Sequence, residues 1–172
     1  MAGRTSITLA EGMTGMTENV FLNIKNKSKV ITAEVMVPEG GAHGTVIAQG
    51  GRFGGWSLYV KDGVPAYDYN FLGLERTTVA GTDKLKPSKV TTVRFEFAYD
   101  GGGIGKGGMG TLYVNDKKVG EGRIERTQPM VFSADETADV GIDLATPVVE
   151  AIGSKSKSRF TGRIPRVKVE VH

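Results

Sequence analysis

Apolar and polar residues alternate with a period of two along three stretches of the chain. In each stretch almost every second residue is apolar, and the residues between are mostly polar or charged. The stretches are Lys29–Val37, Thr92–Tyr99 and Arg166–Val171. A β-strand points successive side chains to opposite faces, so this alternation is typical of a strand packed against a core on one side. The pattern predicts strands at all three positions.

Two hairpins are predicted between these strands. Their arms are Trp56–Val60 with Val64–Phe71, and Thr111–Val114 with Lys118–Gly122. Asp62 and Gly63 in the first connection supply the positive φ that a tight β-turn requires, and Asn115 and Asp116 do the same in the second.

The whole chain is predicted to be all-β. Helix is expected only as a turn or two within residues 137–150, where Gly141 and Pro147 interrupt the pattern. Glycine supplies 25 of the 172 residues and clusters between apolar runs, as in short strands joined by turns. Clean alternation favours a two-sheet antiparallel β-sandwich. We expect residues 1–24 to be a lead-in segment and residues 25–172 to form a single domain.

Charge and composition exclude some classes of partner. The 22 basic and 19 acidic residues leave a net charge of +3, which is too modest to indicate nucleic-acid binding. No apolar run approaches the ~20 residues that span a bilayer, so we expect a soluble chain without a membrane partner. The absence of cysteine excludes disulfides and thiolate zinc sites, and it fits a reducing or an oxidising compartment.

Few residues are available for catalysis. His43 lies in a Gly-rich turn and His172 is the last residue, so no Ser-His-Asp or Cys-His arrangement is indicated. No Glu is followed two residues later by Asp, which excludes the Glu-x-Asp-x-x-Glu strand of sandwich-fold glycosidases. Lys106 lies in the Gly-rich run 101–108 but is followed by Gly107, unlike the lysine of a phosphate-binding loop. We predict that the chain by itself is not an enzyme and that it contains no cofactor.

Acidic residues cluster between positions 135 and 143. Asp135, Glu136 and Asp139 are weak candidates for oxygen ligands to calcium, although their spacing is not that of an EF-hand. The alternative is that they cap a short turn or pair with Arg123 or Arg126.

Aromatic residues are concentrated in the first hairpin, at Trp56, Tyr59, Tyr67 and Tyr69. Large aromatic side chains are mostly core residues, whereas an exposed set would suit stacking against a sugar. We predict that Trp56 is buried and keep a sugar platform as the alternative.

Longer strings of the sequence carry a family resemblance. They are Gly50–Tyr59, Tyr69–Arg76, Phe95–Asp100, Gly122–Pro129, Phe132–Glu136 and Phe160–Ile164. Together they resemble the C-terminal domain of large bacterial arylsulfatases, over roughly residues 25–171. The last string is also similar to a strand entry of the concanavalin A/laminin G-like superfamily. The resemblance implies a jelly-roll sandwich and a bacterial protein of the cytoplasm or the periplasm.

The resemblance implies a supporting role rather than catalysis. Sulfatases use a formylglycine made from Cys or Ser in a Cys/Ser-x-Pro-x-Arg motif, and none of the six prolines here has Ser or Cys two residues before it. The implied partner is a sulfatase catalytic domain, whose active-site mouth this domain would help to shape. The candidate residues for this interface, or for a ligand, are Arg52, Trp56, Asn70, Arg76 and Lys106.

The alternative function is a lectin-like module for sulfated or acidic glycans. From Gly153 onward, six basic residues face only Glu170. This basic tail and the aromatic hairpin would form the binding surface. A solvated loop and strand face is the other explanation of the tail.

Overall fold

Two antiparallel sheets make up nearly all the regular structure of the computed structural model, which describes residues 3–172. In spatial order, sheet I consists of β1 (Ser6–Leu9), β11 (Arg163–Val171), β2 (Lys29–Val37), β7 (Ser88–Tyr99), β8 (Lys106–Val114) and β9 (Lys117–Arg126). Sheet II consists of β10 (Ala138–Val140), β3 (Gly44–Gly51), β4 (Gly54–Lys61), β5 (Val64–Phe71) and β6 (Glu75–Ala80). A short 3-10 helix covers Lys155–Lys157. The predicted all-β, two-sheet architecture is confirmed.

The predicted strands and hairpins are present with small shifts. The first alternating stretch is β2, while β7 and β11 begin a few residues before the alternation does. The predicted hairpins are β4–β5 and β8–β9, whose turns place Asp62 and Asp116 at positive φ. No helix forms over residues 137–150, because β10 pairs with β3 there and Gly141 and Ala145 have positive φ values that a right-handed helix excludes. Across residues 3–172 no helix is long and apolar enough to cross a membrane.

The core lies between the inner faces of the two sheets. The register places Ile31 of β2 between Val169 of β11 and Phe95 of β7. On sheet II, Leu58 of β4 lies beside Tyr67 of β5. All five side chains are buried. Since burying a side chain of this size contributes about 1.5–3 kcal/mol, this layer is the main stabilising contact between the sheets.

A second apolar cluster covers the outer face of sheet II. It consists of Ala48, Tyr59 and Ala66 of the sheet with Val148, Val149 and Ile152 of the connection between β10 and β11. The central strands of sheet II are therefore buried on both faces. Strands buried in this way have little polar alternation, which explains why β3 gives no period-two signal.

Residues 3–24, expected as a lead-in segment, are built into the sandwich. β1 pairs with β11 at the edge of sheet I, and Met16 forms an isolated bridge with Ala138 of β10. Phe21 reaches the core, where its ring centroid lies 6.2 Å from that of Trp56. Folded structure therefore begins before residue 25, and only residues 1 and 2 of the expected lead-in lie outside the described residues.

Candidate functional site

One end of the sandwich, which we call the loop end, brings together segments that are far apart in sequence. It contains the β3–β4, β5–β6 and β7–β8 connections and segments 17–28 and 127–133. Asn26 connects three of them, since its Nδ2 donates to the Pro129 carbonyl (2.9 Å) and its Oδ1 accepts from the Gly105 amide (2.8 Å). The Tyr69 hydroxyl of β5 accepts from the Gln128 amide (2.8 Å). These hydrogen bonds hold the loops against both sheets.

A cleft of about 520 Å³ opens at the loop end and is called the basic cleft below. Its charged lining consists of Arg4, Lys25 and Lys27 against the single carboxylate of Glu18. Two amides and an apolar set complete it: Asn19, Asn23, Phe21, Leu22, Met130 and Val131. Ligand sites commonly combine an apolar wall with a few polar groups in a volume of this order. The excess of cations favours an anionic ligand.

Glu18 fixes one wall of the basic cleft. Its Oε2 accepts from Lys25 Nζ (2.7 Å), and its Oε1 accepts from the Phe132 amide (2.7 Å). Asn23 orders the next turn, because its Oδ1 accepts from the Lys25 amide (3.1 Å) and its carbonyl accepts from Lys27 Nζ (3.2 Å). Lys25 is consequently held in place and buried, whereas Lys27 is half-buried.

Lys29 lies next to this site at the first position of β2. It occupies the core-facing phase of the strand and is buried. Its amine lies 4.3 Å from the centroid of the Phe97 ring, which is a cation–π contact. Burial, and secondly the charge of Lys25, lowers the pKa of Lys29 from 10.5 to about 7. The amine therefore titrates near neutral pH.

Three of the candidate interface or ligand residues converge beside the loop end. Arg52 Nε forms an exposed ion pair with Glu150 (2.8 Å), and this hydrogen bond lowers the pKa of the Glu150 carboxyl. Arg76 donates to the Val148 carbonyl and lies 4.0 Å from the Glu150 carboxylate. Asn70 is fully buried, and its Nδ2 donates to the Arg52 carbonyl (2.8 Å). The side chain of Asn70 thus orders the turn and is not presented at the surface, contrary to its selection as a contact residue.

Lys106 is separate from this group, at the start of β8 on sheet I. Its amide donates to the Tyr99 hydroxyl (3.0 Å), and its carbonyl accepts from the Thr127 hydroxyl (2.7 Å). The side chain is exposed at the loop end. It is available to a partner there, although it does not share a site with Arg52.

Exposed apolar side chains form a ridge across the loop end. This loop ridge consists of Phe53, Leu72, Leu74, Met130 and Val131. Three of them protrude strongly, since Phe53, Leu74 and Met130 are 74%, 75% and 72% exposed. Gln128 connects the loops that carry them, because its Oε1 accepts from the Leu72 amide (3.5 Å) and its Nε2 donates to the Val131 carbonyl (3.1 Å). A cluster of large apolar residues this exposed marks a contact surface.

The aromatic residues of the β4–β5 hairpin belong to the interior. The predicted burial of Trp56 is confirmed, and its indole N–H donates to the Gln49 side chain (3.0 Å). Trp56 lies opposite Tyr69, and Leu58 lies opposite Tyr67, so these residues share the inner face of sheet II. The Trp ring and all three Tyr rings of the hairpin are buried. Trp56 is therefore not available to a ligand or an interface, and the hairpin presents no sugar platform.

The acidic candidates for calcium ligands do not converge. Asp135 is exposed. Glu136 accepts from the Thr146 hydroxyl (2.5 Å), whereas the buried Asp139 accepts from the Gly15 amide (2.8 Å). Within residues 3–172 no group of three or more His, Asp or Glu side chains is placed to hold a metal ion. The hydrogen bonds of Glu136 and Asp139 order turns, as the capping alternative expects.

The basic tail is dispersed over the surface. Lys168 pairs with Glu170 (2.7 Å), and Arg163 pairs with Glu11 (2.8 Å). Since the aromatic hairpin faces inward, the tail and the hairpin do not combine into the glycan surface that the sequence led us to expect. Cations and apolar side chains meet instead in the basic cleft.

Comparison with known proteins shows which solved structures have a similar fold. No family model and no curated protein matches the chain. The CBM40 domain of the Ruminococcus gnavus IT-sialidase, bound to α2,6-sialyllactose, is similar with a TM-score of 0.60 and 13% identity, covering 97% of this chain and 90% of that one. Mouse laminin α1 domains LG4-5 give a TM-score of 0.50 and 14% identity, with coverage of 98% and 39%. The chain has a laminin G-like β-sandwich fold.

The laminin G-like fold also occurs within longer proteins. The NanB sialidase of Streptococcus pneumoniae matches with a TM-score of 0.65 and 12% identity, and the match covers 95% of this chain but 25% of that one. At such identities the likeness concerns the fold alone. The resemblance to arylsulfatases rests on the sequence strings.

The residues of the basic cleft were missed by reasoning from the sequence. The signal was present in the spacing of Lys25, Lys27 and Lys29, which alternate up to the start of a strand. Lys29 lies on the same face of β2 as the core residues Ile31 and Ala33. A lysine on the core face of a strand is costly unless its amine is paired, so such a lysine indicates a site that needs inspection. The rest of the cleft, including Met130, comes from distant sequence.

Proposed function

We propose that this chain is a non-catalytic carbohydrate-binding module for acidic glycans and that the glycan binds in the basic cleft. The observation that carries the proposal is that two lysines, Lys25 and Lys27, line the same cleft as one carboxylate, Glu18, together with amides and apolar walls. A sialylated or sulfated sugar presents the matching groups: an anion, hydroxyls and an apolar ring face. Hydrogen bonds between ionised partners are the strongest available for such recognition.

Two further observations support this function. A laminin G-like neighbour of nearly the same length is a carbohydrate-binding module solved with sialyllactose. The groups that catalysis needs are also scattered, because His43 lies at the opposite end and its Nδ1 accepts from the Asp62 amide (3.1 Å). We therefore expect the purified chain to release no chromogen from an aryl sulfate, with or without calcium.

The test is isothermal titration calorimetry with 3′-sialyllactose, a sulfated lactose and neutral lactose. We expect binding of at least one acidic sugar and no binding of lactose. Lys27→Glu should abolish binding, because it reverses a charge at the cleft without removing a buried contact. Lys118→Glu is the matched control on the β8–β9 hairpin, outside the cleft, and should bind as the unmodified protein does. Absence of binding to all acidic sugars, or loss of binding in both variants, would contradict the proposal.

A second candidate function, the support of a sulfatase catalytic domain, is favoured by the loop ridge. The ridge is apolar, and Arg52 precedes its Phe53 while Arg76 follows its Leu74 by two residues, which suits an interface with an apolar centre and a charged rim. The neighbouring coding sequence should then encode a sulfatase catalytic domain. Leu74→Ser should weaken association with that domain and leave sugar binding intact. Unchanged association of this variant would place the contact elsewhere.

A further inference from the structure

A second cleft lies at the end of the sandwich opposite the loop end, between the β6–β7 connection and the β8–β9 turn. It has a volume of about 330 Å³ and is called the lysine groove below. Its apolar lining consists of Pro65, Leu85, Val90, Val114 and Val119. Its charged lining consists of Asp83, Lys84, Lys86 and Lys117. Three cations against one carboxylate leave a surplus of positive charge beside an apolar surface.

Hydrogen bonds hold both sides of the lysine groove in place. On one side, the Leu85 amide donates to the Gly63 carbonyl (2.8 Å), which ties the β6–β7 connection to the β4–β5 turn. On the other side, the Asn115 amide donates to the Thr92 carbonyl (2.9 Å), and the Asn115 Oδ1 accepts from the Thr92 amide (2.9 Å). The groove is therefore formed before a ligand arrives, and binding does not have to order its walls.

The charges of the lysine groove are not paired within the protein. Among residues 3–172, none of the three lysine amines makes a hydrogen bond or an ion pair, and neither does the Asp83 carboxylate. Two carboxylates of the adjacent hairpin are engaged elsewhere, since Asp116 pairs with Arg94 and Glu121 pairs with Lys118. Like charges gathered at one surface repel one another, and an anion bound between them relieves that repulsion.

Lys84 is placed to contact both parts of such a ligand. The carbons of its side chain pack over Gly63, where a Cβ would lie 3.0 Å from the Lys84 Cγ. The residue as a whole is exposed. A lysine arranged in this way covers apolar surface with its stem and keeps its charged end available to an anion.

We propose that the lysine groove binds an amphipathic organic anion, in which an apolar alkyl or aryl body carries a carboxylate, sulfonate or phosphate. The body lies against the valine side chains, and the lysine amines hold the anionic head. Hydrogen bonds between an ammonium group and an anion are among the strongest that a side chain makes. Asn115 adds a neutral donor to the lining, because its Nδ2 makes no hydrogen bond within the described chain. The site is separate from the basic cleft and goes beyond the proposed function.

The size and the lining of the groove select this class of ligand. A volume of about 330 Å³ is near the lower end of the range for small-molecule sites. Val90 is 58% exposed, so the apolar side of the groove is open to a ligand. An inorganic anion uses none of the apolar lining, whereas an uncharged apolar molecule leaves the lysines unpaired. Both parts of the ligand are therefore needed for full affinity.

The test is titration of the unmodified protein with 2-naphthalenesulfonate and with octanoate, which carry an aryl and an alkyl body. Calorimetry measures the affinity, and two-dimensional amide NMR spectra locate the site. We expect at least one of the two anions to bind and to shift the amide signals of Leu85, Val90 and Lys117. The uncharged 2-naphthol and inorganic sulfate should each bind at least about tenfold more weakly, since each lacks one half of the interaction.

Two variants should remove the site. Lys117→Glu reverses a charge of the lining, and Val90→Asp places a negative charge on its apolar side. Each should weaken binding by about tenfold or more. Both residues are exposed, so the fold should be retained, and circular dichroism checks this. Lys157→Glu, at an exposed lysine of the 3-10 helix outside the groove, is the matched control and should bind as the unmodified protein does.

Lys27→Glu separates this site from the basic cleft. The variant should keep the full affinity of the lysine groove, although it should lose the acidic glycan. Failure of every acidic sugar to bind therefore contradicts the proposed function and leaves this inference standing. The inference is overturned if neither anion binds, if the shifted signals lie only at the loop end, or if Lys117→Glu and Val90→Asp bind as the unmodified protein does.

Discussion

The ring of Tyr67 stacks on the ring of Phe95 across the two sheets, with centroids 3.6 Å apart and planes 7° apart. The ring of Trp56 is also close to parallel with that of Tyr67, with centroids 6.1 Å and planes 18° apart. The Tyr67 hydroxyl is buried and has no hydrogen-bond partner among the described residues. Tyr67 therefore combines a favourable ring contact with an uncompensated polar atom.

Tyr67→Phe should stabilise the protein by about 1 kcal/mol, because it keeps the stack and removes a buried hydroxyl without a partner. Urea denaturation with an unchanged m-value would measure this. Tyr67→Leu, which removes the stack as well, should be less stable than Tyr67→Phe. A less stable Phe variant would mean that the hydroxyl is hydrogen-bonded after all.

Trp56→Ala should destabilise the protein by about 3–5 kcal/mol, as expected for the truncation of a large buried aromatic residue. The substitution also leaves the buried Gln49 side chain without the indole N–H that it accepts from. Thermal or urea denaturation is the measurement. A loss below about 1 kcal/mol would show that the ring is not part of a close-packed core.

Asn70→Ala and Lys106→Ala should differ although both residues border the loop end. Asn70 is buried and bonded to the Arg52 carbonyl, so its loss should cost about 1–3 kcal/mol. Lys106 is exposed, and its substitution should stay within about 0.5 kcal/mol. Equal stabilities of the two variants would contradict this assignment of Asn70 to the interior.

Asp143→Asn should remove a loss of stability between pH 4 and pH 7. Burial raises the pKa of Asp143 from 3.8 to about 7, so the native state keeps a proton that the unfolded state releases in this window. Stability therefore falls as the pH rises, by up to about 4 kcal/mol, and the Asn variant should lack this decline. The measurement is urea denaturation at pH 5 and pH 8. Parallel pH profiles of the two proteins would disprove it.

Lys29→Met should be more stable than the unmodified protein at pH 7, and the difference should shrink towards pH 10. The pKa of Lys29 is lowered to about 7, so the unfolded state binds more protons than the native state above that pH. This group therefore makes stability rise with pH between about 7 and 10. Urea denaturation at pH 7 and pH 9.5 tests the sign. A difference that grows with pH would contradict it.

The amino-acid sequence was sufficient to predict the strands that have one face on the core and the other face outward. β2, β7 and β11 are such strands, and their apolar and polar residues therefore alternate with a period of two. The hairpin turns were also determined locally, because the positive φ of Asp62 and Asp116 depends on neighbouring residues. In contrast, the turn or two of helix that was expected within residues 137–150 does not form.

In contrast, the burial of sheet II on both faces and the composition of the basic cleft and the loop ridge depend on tertiary packing. β3 does not alternate, since the 148–152 connection covers the face that would otherwise be solvated, and that contact is not local. Glu18 and Phe132 meet in the wall of the basic cleft although 114 residues separate them. The loop ridge likewise combines Phe53 with Met130. The period of the apolar residues indicates which way a side chain points within its own strand. A site built from several loops depends instead on how the two sheets pack. That packing leaves no local pattern in the sequence.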